Sequence, residues 1–156
     1  MTATPTAPPT IVELSRADTE ALLRAQHVGR IAYSGRDRVD VEPIHYVYDD
    51  GAIYARTSPG AKLLALRHHP WVAFEVDEVR GLYDWRSAVV HGTVYTLAAD
   101  GPPRERDAYA HALALLRTLE PAALTARDPV PWRTTLFRIS VGDMTGRAAR
   151  TAGGAP

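Results

Sequence analysis

The stretch VDVEPIHYVYDDGAIYART, residues 39–57, restricts the fold more than any other part of the chain. Val39 and Val41 lead into Ile44, Tyr46 and Tyr48, and Ile53 and Tyr54 open a return segment beyond Asp50–Gly51. Alternation at period two marks strands, and Asp-Gly tolerates the positive φ angles that match the twist of two antiparallel strands. A β-hairpin is expected here. Pro43 has no backbone donor, so it belongs at an edge, a bulge or an opening in the sheet.

The remaining segments extend that pattern. VGRIAYSG (28–35) precedes the hairpin across a polar turn, Gly35 to Arg38. WVAFEVDEV (71–79), SAVVHGTVYTLA (87–98) and TTLFRISV (134–141) read as further strands, rich in Val and aromatics. Ser15 can cap a helix carrying Asp18 in its first turn and Ala21, Leu22 and Ala25 as apolar positions. A second helix is expected from about Pro59, with Leu63, Leu64 and Leu66 apolar and Pro70 stopping it. A third spans 103–121, with Tyr109, Leu113, Leu116 and Leu119 on one stripe. About six strands and three or four helices result. The strands follow one another through hairpins instead of alternating with helices, which argues for a mainly β (α+β) antiparallel barrel with appended helices.

At 156 residues the chain is read as one domain. Residues 1–10 are nearly all Thr, Ala and Pro, a disordered lead; residues 11–147 form the domain, and 148–156 a disordered tail. Net charge is zero, so no nucleic-acid or anionic-membrane partner is expected, and copies do not repel one another. The absence of cysteine excludes disulfides and thiolate catalysis. No apolar run reaches the roughly 20 residues that cross a bilayer. The N-terminus has neither a basic region nor an apolar core of a secretory signal, so a cytoplasmic location is expected.

Of the 18 basic side chains one is lysine, Lys62, and 17 are arginine. Lys62 sits in TSPGAK, where a strand gives way to a helix. Free N–H groups at a helix start, hydroxyls of Thr57 and Ser58, a close approach at Gly60 and one compact ammonium suit a phosphate monoester. Equally, Thr57 or Ser58 can simply cap the helix, leaving Lys62 in solvent. Neither G-x-G-x-x-G after a strand nor a Walker loop is present. His45 and His91 fall on predicted strands, as substrate or haem ligands or as ordinary strand residues. No HxxxH or HExxH spacing occurs, so no metal site is expected. Glu75 and Asp77 share one face of their strand, and no serine lies in a hydrolase elbow.

The order GRIAYSG, VDVEPIHYVYDDGAIYARTSPGAKLLAL, HPWVAFEVDE, WRSAVVHGTV and LFRISVGDMTGR resembles the pyridoxamine 5′-phosphate oxidase-like FMN-binding proteins, most of all the nitroimidazole-resistance-type branch. The resemblance covers residues 12–147. It implies a six-stranded split β-barrel, a homodimer, and two FMN sites at the subunit interface. Pro43, Ile44 and His45 would line the flavin ring along their strand, and Arg56, Thr57 and Lys62 would surround the phosphate. Ser87 would reach the ring, Arg86 would stabilise the reduced flavin, and Trp132 would come from the partner subunit. The implied function is an FMN-dependent oxidoreductase passing hydride or electrons from a reduced nicotinamide to a small organic acceptor. A non-catalytic flavin- or haem-binding protein and an F420-dependent reductase are the alternatives on the same barrel. No counterpart of the oxidases' C-terminal Arg and His substrate segment follows Phe137, and Arg56 stands where resistance-type members often carry histidine. Neither activity is carried over.

Overall fold

The computed structural model describes residues 8–151. Seven strands and three helices follow one another as β1 (Thr10–Glu13), α1 (Arg16–Ala25), β2 (Val28–Ser34), β3 (Val39–Asp49), β4 (Ala52–Thr57), α2 (Ala61–His68), β5 (Trp71–Gly81), β6 (Asp84–Leu97), α3 (Pro103–Leu119) and β7 (Thr135–Arg150). All neighbours pair antiparallel in the order β1-β7-β4-β3-β2-β5-β6, and β6 also pairs with β7. That last pairing closes a ring of six strands, with β1 attached outside it.

The seventh strand corrects the expected boundaries. Thr10–Glu13 pairs with Arg147–Arg150, so parts of the expected lead and tail are sheet. Every residue of β1 is exposed, so its sequence carries no period to read. Its order comes from a partner near the opposite end of the chain. Residues 1–7 and 152–156, the remainder of the expected disordered ends, lie outside the described residues.

Inside the ring, Ile31, Tyr46, Ile53, Phe74, Val76, Val90, Phe137 and Ile139 are fully buried, with Leu22 and Leu23 of α1 closing one side. Tyr46 meets Phe74 edge-to-face at 4.9 Å, and its hydroxyl donates to the Leu23 carbonyl at 2.7 Å, so the core's largest polar group is satisfied. A second cluster lies outside the ring, where Ala112 and Leu116 of α3 cover Ala52, Tyr54 and Leu136. β4 is therefore buried on both faces, and packing on each side holds it in place.

Asp50 (φ 40°) and Gly51 (φ 75°) form the expected hairpin turn. Gly29 is needed for a different reason. A Cβ there would lie 2.9 Å from the Glu75 carbonyl oxygen and would overlap the Phe74 ring. Gly29→Ala is expected to destabilise the fold by about 2 kcal/mol, measured as a lower urea midpoint at unchanged slope; an unchanged midpoint would contradict this packing.

Candidate functional site

β3 and β4 pair only from Tyr46–Ala55 to Asp49–Ala52. Towards its N-terminus β3 continues against β2, and β4 continues against β7 as far as Thr57. A groove of about 290 Å3 lies between the unpaired stretches. Pro43 falls in this part of β3, so its missing donor costs nothing to the β3–β4 ladder. This is the opening anticipated at Pro43.

Glu42, Pro43 and Ile44 form one wall, Arg56 and Thr57 another, and the segment from Ser58 to Lys62 leads into α2 between them. Gly60 is the helix N-cap, at φ 155°, and no side chain caps the helix. Thr57 and Ser58 are therefore not caps. The first intrahelical bond runs from the Leu64 N–H to the Gly60 carbonyl at 3.1 Å. Ahead of it, the N–H groups of Ala61 to Leu63 keep the positive end of the helix dipole uncapped beside the groove.

Lys62 reaches across to the Glu42 carboxylate as an ion pair. That carboxylate also accepts the Tyr33 hydroxyl at 2.6 Å. Burial, the largest single influence, pushes the Glu42 pKa up, yet the hydrogen bonds from Lys62 and Tyr33 together bring it below its ordinary value. Burial first, and then the hydrogen bond to Glu42, drives the Tyr33 hydroxyl well above the usual phenol range.

Arg56 is bound to a partner that sequence reasoning missed. Its guanidinium grips Asp128 in a fork, at 2.5 and 3.0 Å, and also donates to the Arg133 carbonyl at 3.5 Å. The Asp128 side chain is 1% exposed and accepts the Leu124 and Val130 N–H groups at 2.8 and 3.0 Å. The Arg56 hydrogen bond, with those two backbone bonds, holds the Asp128 carboxyl well below the usual carboxylate range. Leu124 sits at φ 56°, a left-handed conformation unusual for leucine, which the bond to Asp128 helps to retain. The loop between α3 and β7 is thus tied to β4, and this brings Trp132 and Arg133 to the groove. RDPVPWR did carry a local signal, since Asp before Pro favours a turn. Nothing in it pointed to a partner 72 residues away.

Six of the expected site residues therefore meet in one groove: Pro43, Ile44, Arg56, Thr57, Lys62 and Trp132. Trp132 lines the groove of its own chain, where the Asp128 tie folds its loop back. Three others do not line the groove. His45 is exposed on β3 opposite Val28. Arg86 is bound to Glu78 at 2.5 Å, and Ser87 lies in register between Asp77 and Arg147. Both sit on β6, separated from β3 by β2 and β5, or about 14 Å at ordinary strand spacing. They also alternate to opposite faces of their strand. Elsewhere Arg30 clamps Glu75 at 2.7 Å and Asp77 at 2.8 Å, so one guanidinium offsets part of the acidic charge on that sheet face. No group of three His, Asp or Glu side chains gathers as metal ligands would among the described residues. No helix there is long and apolar enough to cross a membrane.

The sequence and the fold both have counterparts among known proteins. Residues 15–148 match the sequence profile described as pyridoxamine 5′-phosphate oxidase. The chain belongs to the pyridoxamine 5′-phosphate oxidase family. The Rhizobium meliloti protein RA0666 is 30% identical over 147 residues, 87% of this chain and 93% of that one. A FAD-binding protein from Mesorhizobium loti superposes with a TM-score of 0.72 at 28% identity, over 92% of this chain and 99% of the other. A candidate 5-nitroimidazole antibiotic resistance protein from Bacteroides thetaiotaomicron shares the fold at 16% identity, with a TM-score of 0.71 over 94% of this chain and 92% of that one. In this member of the family, the groove offers an uncapped helix start, a lysine and an arginine to an anion, and the flat surfaces of Pro43 and Trp132 to a ring.

Proposed function

We propose that this chain is a flavoprotein oxidoreductase that binds FMN with its phosphate at the start of α2 and its ring toward Pro43 and Trp132. The observation that carries the reading is the convergence of six residues from four chain segments on one groove. The FAD-binding Mesorhizobium loti relative supports a flavin in particular.

The residues present fit such a ligand. An uncapped helix start with Lys62 and Arg133 suits a phosphate ester. At about 290 Å3 the groove is at the lower end for a cofactor site, enough for the phosphate and sugar-alcohol chain. The ring then extends over the exposed face of β3, where Val39 and Val41 are 67% and 61% exposed. We read the closed strand ring as the split barrel, and that apolar face as the place where a second copy completes the site in a homodimer. In such a dimer Arg86 and Ser87 of the second copy are candidates for the ring's far side.

Bound flavin would supply the hydride and electron transfer. The chain's own residues bind and orient: Lys62 and the helix start neutralise the phosphate, the Arg56–Asp128 tie holds Trp132, and Pro43 and Ile44 shape the strand wall. The proposed reaction runs from a reduced nicotinamide to a small organic acceptor in the cytoplasm. Among the described residues no histidine lines the groove, so the haem alternative finds no histidine ligand there.

The test is the absorbance spectrum of the purified protein, followed by titration with FMN. Bands near about 375 and 450 nm that bleach with NADH or NADPH are expected. A single band near about 420 nm would point to the deazaflavin F420 instead. A colourless protein that leaves FMN fluorescence unquenched would end the flavin reading. Gel filtration at twice the 17.0 kDa chain mass is expected, and elution as a single chain would remove the shared site.

A further inference from the structure

Among the described residues Glu42 is the only carboxylate lining the groove, the wrong charge for a site that takes an anionic ester. We propose that Glu42 sets the affinity threshold of the groove: it acts as a built-in counter-anion to Lys62 and weakens the binding of every phosphate, so that bare phosphate is held too loosely to occupy the site and only esters whose planar group adds further contact are retained. This rests on the reading of the groove as a phosphate-ester site.

Three cations line the groove, Arg56, Lys62 and Arg133. Asp128 occupies the Arg56 fork, and Glu42 occupies the Lys62 ammonium, whose side chain is only 17% exposed. Arg133 alone makes no ion pair among the described residues. Glu42 is also not free to swing away. Tyr33, 6% exposed, donates its hydroxyl to the carboxylate from β2, and the backbone at Glu42 is fixed by pairing with Ile31.

A phosphate dianion entering the groove must therefore separate Glu42 from Lys62 or lie beside a carboxylate, and like charges so placed oppose binding. Bare phosphate has nothing to set against that cost. An ester bearing an aromatic ring gains apolar burial against Pro43, Ile44 and Trp132, which offsets it. Glu42 thus lowers the affinity for phosphate and ester by the same factor, and the ring contact alone keeps the ester above the threshold for occupancy.

Glu42→Gln removes the charge and keeps an oxygen for the Tyr33 hydroxyl. Wild type and variant are titrated calorimetrically with inorganic phosphate, FMN and riboflavin at one ionic strength. The variant is expected to bind phosphate and FMN each about tenfold more tightly, the factor of one charge-assisted hydrogen bond, with riboflavin unchanged. A gain of affinity cannot come from misfolding. Phosphate and FMN affinities equal to or weaker than wild type would overturn the proposal, and so would an equal gain for riboflavin. If Glu42→Gln does not fold, Tyr33→Phe carries the same test: loss of the anchor is expected to give a smaller gain for phosphate and FMN, and no gain overturns the proposal. The flavin reading fails separately. Should neither flavin bind while the variant still gains phosphate affinity, Glu42 keeps its role and the cofactor assignment falls.

Discussion

Replacing Arg56 by alanine is expected to lower the thermal midpoint by on the order of 10 °C, because removing one partner of a buried pair strands the other. Asp128 would keep its Leu124 and Val130 N–H bonds but lose both guanidinium bonds while its side chain remains 1% exposed. Its two backbone bonds alone then hold Leu124 in its left-handed conformation and the loop to Trp132 in place. Flavin affinity is expected to fall with the loop, by similar factors for FMN and riboflavin, since Arg56 acts on the wall and not on the phosphate. The pH dependence has a definite sign. The folded-state pKa of Asp128 is depressed, so its stabilisation is complete above the unfolded value near about 4 and is lost as pH falls through the folded value. Calorimetric scans should therefore show the gap between wild type and Arg56→Ala unchanged from about pH 7 to 5 and narrowing below about pH 4. A variant melting within about 2 °C of wild type at neutral pH would show that the tie does not support the loop.

Lys62→Ala is expected to divide the ligands that Arg56→Ala treats alike. Losing a charge-assisted contact to phosphate costs about ten- to a hundredfold in FMN affinity. Riboflavin, which has no phosphate, should bind as before. The change also leaves Glu42 without its counter-ion, and the resulting uncompensated carboxylate adds to the loss for FMN alone. The wild-type preference for FMN should weaken with salt, and the variant's should weaken less, because an attraction has been removed and the Glu42 repulsion left behind is itself screened. Lys62→Arg is expected to recover only part of the affinity, since a planar fork replaces a compact ammonium opposite the same carboxylate. Fluorescence quenching of both flavins measures all of this. Equal losses for FMN and riboflavin in Lys62→Ala would remove the phosphate from the start of α2.

The two variants also separate what was legible in the sequence from what was not. Lys62 stood out as a lone lysine at a strand–helix junction, and its neighbours Thr57 and Gly60 had the chemistry of an anion site. Arg56 was visible too, as one of the residues that the resemblance places around a phosphate, but its fork on Asp128 was not. That partnership joins β4 to a loop 72 residues later, a separation at which no periodicity or spacing operates. Glu42 escaped notice for a related reason. On a strand of alternating polarity it reads as a solvent-facing residue, and only the arrival of α2 sets an ammonium beside it. His45, Arg86 and Ser87, which the resemblance gathers around a flavin ring, do not line the groove of their own chain: His45 is exposed on β3, and Arg86 and Ser87 lie on β6.

By itself the sequence determined the local structure: period-two apolar patterns, the Asp-Gly turn, the Ser15 cap and the third helix's apolar stripe each act over a few residues, where short-range sterics and hydrogen bonding decide. It also restricted Pro43 to an edge, a bulge or an opening of the sheet, because a missing donor is a covalent fact. Only the tertiary structure decided how the strand ring closes, that β1 joins β7, and which charges face one another in the groove. Those outcomes depend on distances between segments far apart in the chain, where burial and pairing, not local preference, select the partner.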